Sequence, residues 1–126
     1  MSYEVEYTDE FRTWWESLPK AEQRALTRGI VILETVGPAV PFPFSSKIRG
    51  SRHGHMRELR IQHAGRPFRL LYAFDPRRTA VVLIGGDKTG DDRWYRWAVP
   101  RADDLYDSHL QNIGALPARH PTPKRR

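Results

Sequence analysis

MRELRIQHAGRPFRLLYAFDPRRTAVVLIGGDK, residues 56–88, is the stretch whose reading decides the fold. Three apolar, β-branched or aromatic runs, MRELRIQ, FRLLYAF and TAVVLIGGDK, are separated by two short turn clusters, His63–Pro67 and Asp75–Arg78. Gly65 and Pro67 in the first cluster, and Asp75-Pro76 in the second, have backbone reasons to turn. Runs of this length with turns this short predict an antiparallel meander of three strands. Alternation places Arg57 with Leu59 and Ile61 on one face, and Arg60 with Glu58 and Gln62 on the other. Arg57, Arg60 and Arg69 lie inside strands and Lys88 follows the third. Arginine suits a core badly, so one face of this sheet is set up to meet something anionic.

Toward the N-terminus, Ser2 to Tyr7 alternates and predicts a short strand with one wet face. Thr8 can cap a helix whose first turn holds Asp9 and Glu10. Phe11, Trp14 or Trp15, and Leu18 recur at helical spacing. Pro19 breaks this helix and opens the next, in which Leu26, Ile30 and Leu33 form a stripe widened by Ala25, Ile32 and Val36. Gly37-Pro38 ends it. Such a helix hairpin must cover something, and the meander is the one large candidate. Trp14 and Trp15 are read as core rather than as a base-stacking platform, given the apolar area each buries.

Pro38 to Pro43 predicts an extended connector, and Ser45 to His55 a basic, glycine-punctuated loop carrying Lys47, Arg49 and Arg52. Beyond Lys88, Asp91 is the expected cap of a short helix with Trp94, Tyr95 and Trp97. Pro100 then opens a last helix that Gly114 stops. One domain over residues 1–115 is expected, followed by a basic, disordered tail over 116–126.

Charge is unevenly spread. Residues 1–46 hold four basic and seven acidic side chains, residues 47–101 thirteen and five, and residues 102–126 four and three. The excess that makes the chain +6 lies on the meander and its flanks, which on charge alone favours a nucleic-acid partner over a merely solvated basic surface. The chain has no cysteine, which removes disulfide and thiolate chemistry. No run approaches the roughly 20 apolar residues of a membrane span, and the acidic start is not a secretory signal. A cytoplasmic protein is expected.

Arg60 and Arg69 are the preferred convergent pair. The competing reading pairs Arg60 structurally with Glu58 or Asp87. His53 and His55 lack a carboxylate at ligand spacing, so no metal site is expected. His55 can instead move a proton near neutral pH. Tyr95 is either a packing residue or a functional phenol beside Lys88. Asp87-Lys88-Thr89-Gly90 matches the tetrapeptide of cation-pump ATPases, but the chain has no room for such a pump. Gly85-Gly86 is not a phosphate loop, because the lysine-bearing spacing is absent.

The tryptophan-bearing hairpin, then Gly50-Ser51-Arg52, MRELR (Met56–Arg60), Arg66–Pro76 and the segment Gly85–Gly90 follow one another in a distinctive order. Over roughly residues 3–113 the chain resembles the RelE/HigB toxins of bacterial type II toxin–antitoxin systems, in the phage-Gp49-like branch. That resemblance implies an α+β fold: a small twisted antiparallel sheet with the N-terminal helix hairpin on one face, and a C-terminal helix. It implies a cofactor-free mRNA endoribonuclease that acts at the ribosome through 2′-hydroxyl attack. It also implies a cognate antitoxin, a small helix-turn-helix protein, in a hetero-oligomeric complex. By match of motif, Arg60, Arg69 and Lys88 carry the catalytic cations. The chemistry of the step also needs a proton carrier, and Tyr95 or His55 is the candidate. Lys47, Arg49, Arg52, Arg57 and Arg93 hold the RNA strand. GGDKTGDD departs from the double-lysine run of many relatives. Gyrase-poisoning toxins of ParE type share the fold, and a non-toxic phage-derived binding protein is the remaining alternative.

Overall fold

The computed structural model describes residues 2–89 and 92–115. The expected tail and the Asp91 cap lie outside them. A five-stranded sheet is ordered β1-β5-β4-β3-β2. Its strands are β1 (Val5–Tyr7), β2 (Ser45–Lys47), β3 (Arg57–His63), β4 (Arg66–Phe74) and β5 (Ala80–Asp87). Helices α1 (Asp9–Glu16) and α2 (Lys20–Val36) cover one face, and α3 (Arg93–Asn112) covers the other. This is the expected α+β arrangement. The sheet is antiparallel except at one edge, where β1 runs parallel to β5.

The meander forms as read, with a tighter first turn. Only Ala64 and Gly65 lie outside the strands, and both take positive φ, as a two-residue hairpin with the sheet's twist requires. The second turn is closed by Asp75, whose Oδ1 accepts from the backbone N–H groups of Arg77 and Thr79. Between Leu71/Ile84 and Tyr72/Val82 the β4–β5 ladder skips Leu83. This bulge leaves Leu83 without a ladder partner, and the hydroxyl of Thr8 donates to its carbonyl at 2.7 Å. The same oxygen accepts from the Phe11 N–H and caps α1. One side chain therefore ties the start of α1 to the irregular point of β5.

Strand alternation builds two apolar layers. Leu59, Ile61, Phe68, Leu70, Tyr72 and Val82 pack under Phe11, Leu26, Ile30 and Leu33 of the hairpin. Met56, Leu71, Ala73, Val81, Leu83 and Ile84 pack under Ala98, Val99, Ala102, Tyr106 and Leu110 of α3. Trp14 and Trp15 are both half-buried against the first layer. Helix α2 is entered through Pro19 and left through Gly37, whose φ of 70° favours glycine.

Three local expectations are corrected. Ser45–Lys47 is a strand rather than the start of a loop, because β3 offers it an open edge and its short polar sequence carries no periodicity to announce it. Pro38 sits in one 3₁₀ turn (Gly37–Ala39) instead of an extended connector. Residues 93–112 form one helix through Pro100. Pro100 has no N–H to offer the carbonyl of Arg96, and this part of the helix faces solvent, with Arg96, Trp97 and Pro100 all exposed. No helix among the described residues is long and apolar enough to cross a membrane.

Gly85 and Gly86 are required by what lies over them. A Cβ at Gly85 would stand 2.3 Å from the Trp14 ring, and one at Gly86 2.3 Å from the Trp94 ring. The strand is thus held between two indoles, one per face. Gly85→Ala should destabilise the chain by about 1–3 kcal/mol, the cost of overpacking, in urea unfolding. Gly54→Ala, where a Cβ meets open space, should change stability by less than about 0.5 kcal/mol.

Candidate functional site

Arg60 and Arg69 are direct cross-strand partners in β3 and β4. Like charges placed opposite each other repel, and Arg69 is only 5% exposed. The counter-charge comes from Glu58, two residues before Arg60 on the same face and diagonal to Arg69 through its own partner Leu71. Glu58 is 6% exposed. Its Oε2 lies 3.4 Å from Arg60 Nη1, and its Oε1 lies 3.6 Å from Arg69 Nε. The carboxylate also accepts from the Tyr95 hydroxyl and the Ser46 hydroxyl, each at 2.6 Å. Strands β2, β3 and β4 and helix α3 therefore meet on one buried acid.

Above this acid lies an open pocket of about 470 Å³ lined by Lys47, Arg49, Glu58, Arg60, Arg69, Lys88, Asp92 and Tyr95, with Ile48. Five cations face two carboxylates, so the lining favours an anion. Arg69 Nη1 donates to the Phe68 carbonyl at 3.0 Å, and its buried Nε has no hydrogen-bond partner among the described residues. The guanidinium of Arg60 lies over the exposed ring of Phe42, 5.6 Å from its centroid, which braces it beside the pocket. Lys88 Nζ stands 3.3 Å from Asp92 Oδ1.

Tyr95 keeps its proton firmly. Burial, and after it the neighbouring Glu58 carboxylate, push its phenol up to about 12. At neutral pH it is a donor to Glu58 whose oxygen lone pairs remain available.

The residues singled out from sequence divide three ways. Arg60, Arg69, Lys88, Tyr95, Lys47 and Arg49 come together in the pocket. Arg93 lines the adjoining hollow with Lys88. His55, Arg52 and Arg57 lie elsewhere. His55 Nε2 sits 3.1 Å from the Tyr106 hydroxyl under the far half of α3, and burial, then His53, lower its pKa. Arg52 is held by Asp104 and Asp107 of α3. Arg57 Nε donates to Ser45 Oγ, which bonds the Tyr72 hydroxyl of the hairpin-side layer. No group of three or more histidine and carboxylate side chains that could hold a metal ion gathers among the described residues.

Sequence reasoning treated Glu58 only as a possible partner of Arg60 and missed it as the centre of the cluster. The available signal was an acid on the same strand face as two opposed arginines, an arrangement that needs a counter-ion.

The fold is that of a RelE-like α+β domain. A free-state RelE toxin of Escherichia coli superposes with a TM-score of 0.60 at 19% identity, over 80% of this chain and 98% of that one. The archaeal RelE in its RelB complex from Pyrococcus horikoshii OT3 gives 0.53 at 22% identity, over 71% and 99%. At these identities the likeness is one of fold. Within that class the chain belongs to the phage-derived Gp49-like family, whose model matches residues 13–107. Two Mycobacterium tuberculosis proteins named as toxins are similar to it. HigB3 is 39% identical over 98 residues, covering 77% of this chain and 84% of HigB3. HigB2 is 39% identical over 101 residues, and the match spans 49% of its length.

The pairing of Tyr95 with Glu58 is open to spectroscopy. At a pH near 10.5, where an ordinary tyrosine is more than half ionised, the difference in phenolate absorbance between the native chain and Tyr95→Phe should be close to zero. In Glu58→Gln the Tyr95 titration should move down from about 12 only part of the way, because burial is the larger cause and remains. The raised pKa adds stability that is fully present below the usual tyrosine value of about 10 and is lost as pH rises through about 12.

Proposed function

We propose that this chain is the toxin of a type II toxin–antitoxin pair and that it cleaves mRNA, without a metal, by attack of the RNA's own 2′-hydroxyl. The observation that carries this reading is the in-register pair Arg60 and Arg69, held with Lys88 and Tyr95 around the buried Glu58 carboxylate. Permanently charged guanidinium forks match the oxygens of a phosphate and stabilise the added negative charge on five-coordinate phosphorus. The 2′-hydroxyl gives its proton to the Tyr95 oxygen as the phenolic proton passes to Glu58. The 2′-oxygen bonds to phosphorus, the bond to the 5′-oxygen breaks, and the Lys88 ammonium donates the proton that turns that leaving oxygen into a hydroxyl. The products are a 2′,3′-cyclic phosphate and a 5′-hydroxyl. Lys47 and Arg49 hold the strand beside the pocket.

His55 has no part in this scheme, since its ring faces Tyr106, and the same holds for Arg52 and Arg57, which are engaged away from the pocket. The messages cut are those on the ribosome, in the cytoplasm. The partner is a small antitoxin, in keeping with the solved RelBE2 toxin–antitoxin complex of Mycobacterium tuberculosis, at TM-score 0.51. The HigB names of the relatives at 39% identity favour this reading over a ParE-type gyrase inhibitor.

Primer extension on mRNA from cells expressing the chain should map discrete cuts, and purified protein with programmed ribosomes should yield cyclic-phosphate and 5′-hydroxyl ends. Arg60→Ala or Arg69→Ala should each slow cleavage on the order of 10²-fold, corresponding to about 3 kcal/mol of lost transition-state stabilisation. Cutting of a message that is 2′-deoxy at the cleavage site, or products that end in a 5′-phosphate and a 3′-hydroxyl, would contradict the scheme.

A further inference from the structure

Lys88 also lines a second hollow, of about 270 Å³, together with Asp87, Thr89, Arg93, Trp94 and Trp97. Its two tryptophans are placed differently. Trp94 lies against Gly86 of β5 and packs with the α3-side layer. Trp97, one turn further along α3, sets its ring at 81° to Trp94 with centroids 6.1 Å apart, and remains 52% exposed. An indole is a large apolar surface to leave in water, and its contact with Trp94 accounts for only part of it.

The surroundings of Trp97 are polar and mainly cationic. Lys88 lines both hollows, and Arg93 precedes Trp97 by one helical turn. Asp87 is engaged by Arg66 and by the Thr89 N–H, so its charge is offset. An exposed aromatic face flanked by cations and sharing a lysine with an anion pocket is how proteins hold single-stranded nucleic acid: cations follow the backbone while bases stack. A protein partner would find an isolated ring in a charged frame.

We propose that Trp97 is a stacking subsite for a nucleobase of the RNA strand, the base that follows the phosphate held by Arg60 and Arg69. Lys88, at the leaving 5′-oxygen, joins the two hollows, and this places the stacked base on the 3′ side of the cut. Arg93 lies along the backbone between them. The subsite rests on the RNA reading of the main pocket and adds to it a position where base identity and stacking strength matter.

The test is an indole-fluorescence titration of the full chain with a hexaribonucleotide 2′-O-methylated throughout, so that it is bound and not cut. Native protein should show saturable quenching. Trp97→Ala should bind roughly tenfold more weakly and lose most of the quenching, the size expected for one stacked base. Trp97→Phe, which keeps a ring, should recover most of the affinity. An abasic residue just 3′ of the central phosphate should cost the native chain as much as Trp97→Ala does. Trp97→Ala binding the oligonucleotide as tightly as native would overturn the subsite while leaving the RNA pocket standing. No binding by the native chain, with or without programmed ribosomes, would overturn the RNA reading and the subsite with it. If Trp97→Ala binds RNA normally but loses a co-purifying protein, the surface is a protein interface and the proposal is wrong.

Discussion

Glu58 is an acid buried between two arginines that the sheet register forces to face each other. Opposed guanidinium groups on neighbouring strands repel, and a nearly buried Arg69 cannot shed its charge into water. A carboxylate on the same face answers both problems. It would itself be costly to bury without partners, and Tyr95 and Ser46 supply hydrogen bonds. The three β3–β4 charges, the edge strand β2 and the helix α3 are therefore mutually dependent. The region that binds the anion is also a junction of the fold.

The rest of the molecule keeps that junction in place. The sheet is packed on both faces, so β3 and β4 cannot slip without turning apolar rows into solvent. The bulge at Leu83 resets which residues of β5 point to which face, and it is stabilised by Thr8. Beyond it, Gly85 and Gly86 let Trp14 and Trp94 approach the backbone from opposite sides, and Trp94 in turn sets the height of α3 over the pocket. The far half of α3 holds the segment after Ile48: Asp103 accepts from the Ser51 hydroxyl and the Arg52 N–H, and Asp107 bonds His53. That segment carries Arg49 into the pocket wall.

Much of this was legible in the chain. The meander, the helix hairpin, the Thr8 cap and the shared face of Arg60 and Glu58 follow from alternation, helical spacing and turn chemistry, all of which are local. What was not legible depends on partners distant in sequence. Ser45–Lys47 is a strand because β3 has a free edge, and nothing in Ser-Ser-Lys says so. Pro100 reads as a helix start by local rules and sits mid-helix where Arg96, Trp97 and Pro100 are all exposed. The bulge at Leu83 hides within an unbroken apolar run. Among the site residues, Arg60 and Arg69 come together because strand register constrains them, while Arg57, one face over on β3, is turned to the hairpin-side layer. Loop residues such as Arg52 and His55 were misplaced, since the loop's path is set by aspartates and a tyrosine some fifty residues away.

A double-mutant stability cycle on Glu58→Gln and Arg69→Met tests the central claim most directly, because it measures the coupling and not merely the loss. Each single change should cost on the order of 3 kcal/mol in denaturant unfolding, since it leaves a buried charge without its partner. The double variant should be destabilised by at least about 1.5 kcal/mol less than the two losses combined. Strict additivity would contradict the account, for it would mean that Glu58 and Arg69 are neighbours that do not depend on each other.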